Sequence, residues 1–229
     1  MTAQVFDLFP LSIFKDKIDL SKEEKKEIID FILESENTTR HLKQREGNAW
    51  LGDTKGHEYI FKNPIMENLS NLVATKIKLY TEMLNLDNNK LSFFYQRSWA
   101  TVTRTNERIQ PHRHDQSNIS FAYYPLKPKD SGDFRLMVEP QNEIARGLFH
   151  IEKVNLGLIT NVSNRNTPNI DLHVEEDDIV IFPSKTQHAT IPNITEKPRI
   201  SISGDVTIML KDSYGHERLM PHFDNWQKF

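Results

Sequence analysis

Two histidines stand two residues apart in the stretch Ile109–Asp115, which reads IQPHRHD. On an extended backbone the side chains alternate between two faces, so the imidazoles of His112 and His114 project to the same side. Neutral imidazole is the commonest protein ligand for divalent metal ions, and a pair presented in this way can hold one ion. A surface pair in a turn has the same spacing, so the pair needs a further ligand before it indicates a metal site.

A third histidine, His188, follows the apolar run Asp178–Pro183 and opens the next predicted strand. A sheet that folds back on itself brings strands distant in sequence together, so the gap of 188 − 114 = 74 residues is no obstacle. We predict that His112, His114 and His188 hold one metal ion. The competing interpretation is a half-buried His188 that is hydrogen-bonded to the backbone.

The segment Arg199–Ser203 alternates polar and apolar residues, which places Arg199 and Ser201 on one face of a strand. An arginine on the inner face of a sheet contradicts core packing unless an anion is bound there. A guanidinium binds a carboxylate through two parallel hydrogen bonds, and Ser201 offers a third. The segment therefore predicts a carboxylate-binding site, and an arginine paired with an internal acidic residue is the alternative.

Composition narrows the class of protein. Among 229 residues, 37% are hydrophobic and 27% are charged, which fits a soluble globular protein. The net charge of −3 weighs against a nucleic-acid-binding surface, and the absence of cysteine excludes a disulfide framework and a thiol nucleophile. No apolar run approaches the roughly 20 residues of a membrane span, and the first residues do not form a signal peptide. These features favour a cytoplasmic enzyme or binding protein.

The first part of the chain predicts two helices. Residues 5–14 are apolar around a proline, which suits an edge strand. Ser21 and Glu24 form a capping box that begins a helix with one apolar stripe. A second helix is predicted from about Pro64 to Leu84, where apolar residues recur at three- and four-residue steps. Residues 36–58 are predicted as a loop.

From Leu91 onward, short runs rich in β-branched and aromatic residues alternate with turn-forming clusters. The predicted strands are 92–104, 117–124, 133–138, 153–161, 170–174, 178–182, 187–191 and 199–209. Short strands after two helices predict an α+β, mainly β fold, a double-stranded β-helix (jelly roll) with the N-terminal helices packed on one sheet. We expect a single domain over 1–229, with helical support in 1–90, a jelly-roll core in 91–210 and a docking tail in 211–229.

In these motifs the chain resembles the iron(II)- and 2-oxoglutarate-dependent oxygenases, whose jelly roll carries a His-x-Asp/Glu…His triad followed by an arginine. Here the arginine follows the distal histidine by 199 − 188 = 11 residues, and Arg199-x-Ser201 matches the Arg-x-Ser pair of several branches. More narrowly, the chain is similar to a family of oxygenases found in bacteriophages and marine bacteria. The matching pieces are Ser98–Ala100, Pro111–His114, Ser120–Tyr124, Phe182–His188 and Arg199–Ser203, with Phe9-Pro10 near the start and Pro221…Trp226 near the end.

The resemblance implies that the three histidines hold Fe(II) and that 2-oxoglutarate is the cosubstrate. Arg199 and Ser201 would bind its far carboxylate, and Tyr124, which shares strand parity with Ser120, could join them, although core packing explains the tyrosine equally well. The implied activity is hydroxylation of an unidentified substrate, a small molecule or a peptide. The implied source is a bacterial host or its phage.

One position departs from the family pattern, since the chain has His114 where the family usually has a carboxylate. The metal site then consists of three histidines, or of His112 and His188 with either a water molecule or Asp115 as the third ligand. On a regular strand, Asp115 would point to the opposite face from His114. A three-histidine, cupin-like dioxygenase without 2-oxoglutarate explains His114 better than it explains Arg199. A non-catalytic jelly-roll binding module is the third hypothesis.

Pro221–Asp224 fits His-x-Asp literally, but no histidine follows it, so we assign it to the docking tail. Trp99 is assigned to the core. The segments 36–58 and 141–152 are the predicted lid loops, and neither identifies the substrate or the oligomeric state.

Overall fold

The computed structural model describes residues 2–8, 10–42, 45–137, 147–212 and 220–229. The strands are β1 (Phe14–Lys17), β2 (Trp50–Leu51), β3 (Leu91–Thr103), β4 (Ile119–Leu126), β5 (Phe134–Met137), β6 (Asn169–Leu172), β7 (Asp178–Pro183), β8 (Gln187–Thr190) and β9 (Arg199–Leu210). The helices are α1 (Lys22–Thr39), α2 (Glu67–Met83) and α3 (Ile151–Asn155), with short 3-10 turns between elements.

The strands form two antiparallel sheets. The larger has six strands in the order β1-β7-β4-β9-β3-β2, and the smaller has three in the order β6-β5-β8. Among the described strands, the two sheets do not close into a continuous barrel. The predicted mainly β fold with helices packed on one sheet is confirmed, because α1 and α2 cover the outer face of the larger sheet.

Strand β4 shows how the alternation of side chains divides the core. Phe121 and Tyr123 point outward into the cluster that packs under the two helices. Ala122 and Tyr124 point inward to a second cluster, which is shared with residues of β5 and β7. The space between the two sheets is therefore apolar along part of its length, and the remainder of that space is available for a site.

Both long helices begin at the signals seen in the sequence. The Ser21 hydroxyl accepts a hydrogen bond from the Glu24 backbone N–H at 3.1 Å, and the Glu24 carboxylate accepts one from the Ser21 N–H at 3.1 Å. This confirms the capping box at α1. Before α2, the Asn63 side chain accepts a hydrogen bond from the Ile65 N–H, and a 3-10 turn leads into the helix at Glu67.

Three local predictions were wrong. The N-terminal edge strand lies at Phe14–Lys17, where it pairs with β7, whereas Val5, Phe6 and Leu8 are exposed and outside any strand. Within the predicted loop 36–58, α1 continues to Thr39 and Trp50–Leu51 forms β2.

The predicted strand 153–161 is instead α3 followed by turns. The His150 side chain accepts a hydrogen bond from the Glu152 N–H at the start of the helix, and Gly157, with φ +73°, closes its end. The apolar alternation that suggested a strand belongs to exposed side chains, since Leu156 is 69% and Leu158 is 65% exposed.

The ends of the chain supply strands and contacts to the core region. β1 and β2 come from the segment predicted as helical support and join the larger sheet. In the tail, the Phe223 ring packs against Phe94 of β3, with ring centroids 5.1 Å apart. Residues 138–146 and 213–219, which contain half of one predicted lid and part of the tail, lie outside the described residues, as does Phe9. None of the described helices combines the length and apolar character that a bilayer crossing needs.

Candidate metal centre

Backbone pairing brings the three histidines together. His112 and His188 form an antiparallel bridge in which each backbone N–H donates to the other residue's carbonyl, at 3.0 and 2.9 Å. The His114 N–H donates to the Ser184 carbonyl at 3.0 Å, in the turn that precedes β8. The loop after β3 is therefore hydrogen-bonded to β8 and the turn before it, so that His112 and His114 contact His188 although they are far apart in sequence.

The three side chains are oriented in the same way. The Nδ1 atom of His112 lies 2.9 Å from the Gln110 carbonyl, and that of His188 lies 2.9 Å from the Thr186 carbonyl. The Nδ1 of His114 lies 2.6 Å from Oδ1 of Asp205. Because each acceptor occupies an Nδ1–H, the Nε2 lone pairs are left for a ligand.

The geometry fits a metal ion. One nitrogen from each histidine lies within 4.8 Å of the others. Within the described residues, Nε2 of His114 is buried and has no hydrogen-bond partner. A buried polar atom without a partner is costly, and a divalent cation bound by the three imidazoles would satisfy it.

Burial keeps two of these imidazoles, those of His112 and His188, neutral. It lowers the pKa of His188 to about 3, with the neighbouring His112 and His114 contributing in the same direction. It also lowers the pKa of His112. The rings of Phe182 and Phe134 stand 4.7 and 5.6 Å from the His188 ring and form its apolar surroundings. Since a metal binds only the neutral form, two of the three candidate ligands are ready to bind at neutral pH.

The structure separates Asp115 from the site. Its carboxylate pairs with the Arg113 guanidinium at 3.0 Å, and its side chain is 74% exposed. The His222–Asp224 pair also lies elsewhere, because His222 packs against Phe94 and Phe223. Neither acid therefore joins the cluster of His112, His114 and His188.

Arg199 is buried, as expected, but the protein itself supplies its hydrogen-bond acceptors. Nη1 donates to the carbonyls of Ser131, Gly132 and Ile191 at 2.7, 2.9 and 3.3 Å. Nη2 donates to the Thr190 hydroxyl at 2.8 Å. Burial lowers the pKa of Arg199, and no carboxylate of the described residues lies within ion-pair distance of it. Among the described residues, the buried guanidinium thus has only neutral hydrogen-bond acceptors, and Asp133 acts on it electrostatically from beyond contact distance.

A cavity of about 330 Å³ lies against the histidines. Its walls include two of the predicted cosubstrate residues, Tyr124 and Ser201, together with Ser203 and Thr190. Burial raises the pKa of Tyr124, so its hydroxyl keeps its proton. Arg199 itself stands behind this wall, in contact with Thr190. A volume of this size is at the small end of ligand sites.

Two residues of the site were missed or assigned differently from sequence. Trp99 was assigned to the core; it is buried, but it also lines the cavity and stacks on His114, with centroids 5.6 Å apart and an interplanar angle of 17°. Asp205 was not considered. Its signal was present, because the polar alternation on β9 continues from Arg199 through Ser201 and Ser203 to Asp205.

The comparisons with known proteins agree with this geometry. Residues 97–205 match the family model described as "Putative 2OG-Fe(II) oxygenase". Over this region the chain is similar to the 2OG-Fe(II) oxygenase family. The matched segment contains every residue predicted for the site. The chain is accordingly an oxidoreductase whose cofactor is iron(II) and whose cosubstrate is 2-oxoglutarate.

Solved structures of oxygenases share the fold. The non-heme alpha ketoglutarate dependent epimerase SnoN from nogalamycin biosynthesis is 13% identical, with 86% of this chain and 78% of that chain covered and a TM-score of 0.53. A Pseudomonas putida prolyl-4-hydroxylase is 11% identical, with 87% and 94% covered and a TM-score of 0.52.

HygX from Streptomyces hygroscopicus, solved with nickel and 2-oxoglutarate bound, is 10% identical, with 86% and 82% covered and a TM-score of 0.52. At these low identities, the similarity to the solved structures shows only that this chain shares their fold. No curated protein matches the chain.

Proposed function

We propose that this oxygenase hydroxylates a C–H bond of a small molecule or a peptide side chain, with His112, His114 and His188 as the metal ligands. The observation that carries the proposal is the common orientation of the three imidazoles, each held through Nδ1 and each leaving Nε2 for one ion. With iron(II) and 2-oxoglutarate bound, dioxygen would convert 2-oxoglutarate to succinate and carbon dioxide and place one oxygen atom in the substrate.

We assign Arg199, Ser201 and Tyr124 to the far carboxylate of 2-oxoglutarate. The buried guanidinium forms no ion pair with a carboxylate of the described residues, which supports this assignment, because a buried charge with little compensation is costly. The Ser201 and Tyr124 side chains line the cavity on the same inner faces of β9 and β4. Some hydrogen bonds from Arg199 to Thr190 and to carbonyls would be exchanged for bonds to the ligand.

The remaining walls would position the substrate and exclude water. Trp99, Phe134 and Phe182 present apolar rings beside the histidines. Such a surface holds an unactivated C–H group near the metal and keeps solvent away from it. The cavity of about 330 Å³ accommodates 2-oxoglutarate with one small reacting group, which suits a metabolite or a single side chain.

The test is production of succinate from 2-oxoglutarate by the iron-loaded protein. Calorimetry separately measures the affinity of the metal-free protein for nickel and the affinity of the nickel-loaded protein for 2-oxoglutarate. His188→Ala should lose both metal and cosubstrate binding. Arg199→Lys keeps a charge but loses the fork, so it should bind nickel normally and weaken 2-oxoglutarate by about 30-fold or more, which corresponds to about 2 kcal/mol. Normal 2-oxoglutarate affinity in Arg199→Lys would contradict the assignment.

Arg135→Lys is the matched control. Arg135 makes a two-bond ion pair with Asp171 on the exposed side of the smaller sheet, at 2.6 and 2.8 Å. Arg135 already binds a carboxylate through its two-bond fork, as Arg199 is proposed to do, but it does not line the cavity. The control should therefore bind both nickel and 2-oxoglutarate as the unaltered protein does.

A three-histidine dioxygenase that needs no 2-oxoglutarate is the second candidate. It is favoured by one observation, that the cluster of ligating groups found among the described residues contains no carboxylate. It predicts oxygen uptake without succinate formation. It leaves the buried charge of Arg199 unexplained, so we rank it second.

We place the protein in the cytoplasm of a bacterial cell and expect no nucleic-acid substrate. The chain has no cysteine and a net charge of −3, which gives no general attraction to phosphate backbones. Gel-shift titration at low salt should show no binding to DNA or RNA. A phage origin for the gene stays a prediction.

A further inference from the structure

A buried carboxylate stands directly behind one of the three histidines. Asp205 lies on β9, 91 residues from His114 in sequence, and its Oδ1 is 2.6 Å from the His114 Nδ1. Its side chain is fully buried. In the other two histidines the corresponding contact is to an uncharged backbone carbonyl. His114 is therefore distinguished from its partners by an anionic acceptor.

The position of this carboxylate is fixed from both sides of β9. Its cross-strand neighbours are Arg97 and Ser120, and both donate to it, at 3.0 Å each. Gln116 and Ser117 donate at 3.1 and 3.3 Å. Five donors converge on two oxygens, so Asp205 cannot rotate away from His114 without losing several hydrogen bonds.

We propose that Asp205 is a positioning residue for the metal site, which holds His114 with its proton on Nδ1 and its Nε2 lone pair toward the ion. This inference rests on the proposed three-histidine site. The family usually has a carboxylate ligand at the position of His114. In this chain a carboxylate, Asp205 on β9, would instead act on the metal indirectly, through the imidazole of His114.

The chemical reason is the character of the acceptor. An ionised carboxylate only accepts hydrogen bonds, so the imidazole nitrogen facing it must carry the proton. A carboxamide in the same place can donate through its N–H₂, which allows the opposite tautomer with the proton on Nε2. That tautomer cannot bind a metal through Nε2. Groups that orient a ligating histidine in this way typically contribute 10- to 100-fold to metal affinity.

A purely structural role is the alternative, since Asp205 also neutralises Arg97. The two roles predict different results. A structural role lowers the stability of the fold and leaves the affinity of a folded variant for metal unchanged. A positioning role lowers the affinity even when the variant is folded.

The first experiment titrates the metal-free protein with Co²⁺ alone and follows the visible ligand-field bands. Asp205→Asn should bind Co²⁺ about 10- to 100-fold more weakly than the unaltered protein. Asp178→Asn is the matched control, because Asp178 is also buried and salt-bridged, to Lys15 and Lys17 at 2.9 Å each, but lies at the far end of β7. It should keep full affinity.

Equal affinity in Asp205→Asn and Asp178→Asn overturns the inference but leaves the proposed function intact. Failure of the unaltered protein to bind Co²⁺ instead overturns the metal site on which both depend. A double-mutant cycle adds specificity. In a His114→Asp background no tautomer has to be fixed, so adding Asp205→Asn should cause no further loss of affinity, and a full further loss would count against the inference.

A second measurement does not need any variant of Asp205 to fold. In a long-range ¹H–¹⁵N spectrum of the metal-free protein, the His114 ring is assigned by its disappearance in His114→Gln. We expect the tautomer protonated on Nδ1. The tautomer protonated on Nε2 would overturn the inference.

Discussion

At the scale of single residues, the burial of His188 has a consequence for stability. Its pKa falls to about 3 in the folded protein from an ordinary value of 6.5. Between these pH values the unfolded chain binds a proton that the folded chain does not. The free energy of unfolding of the metal-free protein should therefore decrease as the pH falls from about 6.5 toward 3.

Urea unfolding of the metal-free protein at pH 7 and pH 5 measures this effect. His188→Gln should lose about 1–2 kcal/mol less stability over that interval than the unaltered protein, because it lacks the group that titrates on unfolding. A His188→Gln profile parallel to that of the unaltered protein would refute the assignment of the slope to His188.

At the scale of elements, the turn between β4 and β5 positions Arg199. The carbonyls of Ser131 and Gly132 accept hydrogen bonds from Nη1 of Arg199. Gly132 has φ +87°, and a Cβ on it would stand 2.1 Å from the Ile191 carbonyl oxygen and 2.8 Å from Nη1 of Arg199. The backbone approaches so closely that only glycine fits at this position.

Gly132→Ala should therefore destabilise the fold by more than about 2 kcal/mol and weaken 2-oxoglutarate binding, because the turn must move away from Arg199. Gly56→Ala is matched in backbone conformation, with φ +85°, but a Cβ there meets no atom within 4 Å. It should cost about 1 kcal/mol and leave cosubstrate affinity unchanged. Denaturant unfolding and calorimetry on nickel-loaded protein measure the two effects, and equal results for the two variants would contradict the role of the turn.

At the scale of the whole molecule, the metal site joins the two sheets. His188 belongs to β8 of the smaller sheet, while Asp205, which holds His114, belongs to β9 of the larger one. The site exists only when the sheets are packed together, so the unfolded chain has no equivalent. A metal ion that binds the folded state should stabilise the entire fold.

Nickel at about 100 times its dissociation constant should add about 2.7 kcal/mol, which raises the Tm of a chain of this size by about 5–10 °C. Differential scanning calorimetry with and without a chelator measures the shift. His188→Ala should show none. A shift of the same size in His188→Ala would mean that nickel binds elsewhere.

The sequence by itself determined the types of element and predicted the three histidines that meet at the candidate site. Apolar periodicity and the Ser21 capping box are local signals, so both long helices and most strands were predicted near their observed limits. Alternation along a strand is also local, which is why Ser201 and Tyr124 were placed on inward faces. The same rule gave a wrong prediction at 153–161, where the apolar residues are exposed and the chain forms the end of α3 and turns.

Only the tertiary structure decided which residues meet. The bridge between His112 and His188, the contact of Asp205 with His114 and the carbonyls around Arg199 all depend on register between segments far apart in sequence. Register is set by the packing of whole faces and not by any short stretch. The residue types could therefore be read from the chain, but only the folded structure shows that β9 places the Asp205 carboxylate behind His114.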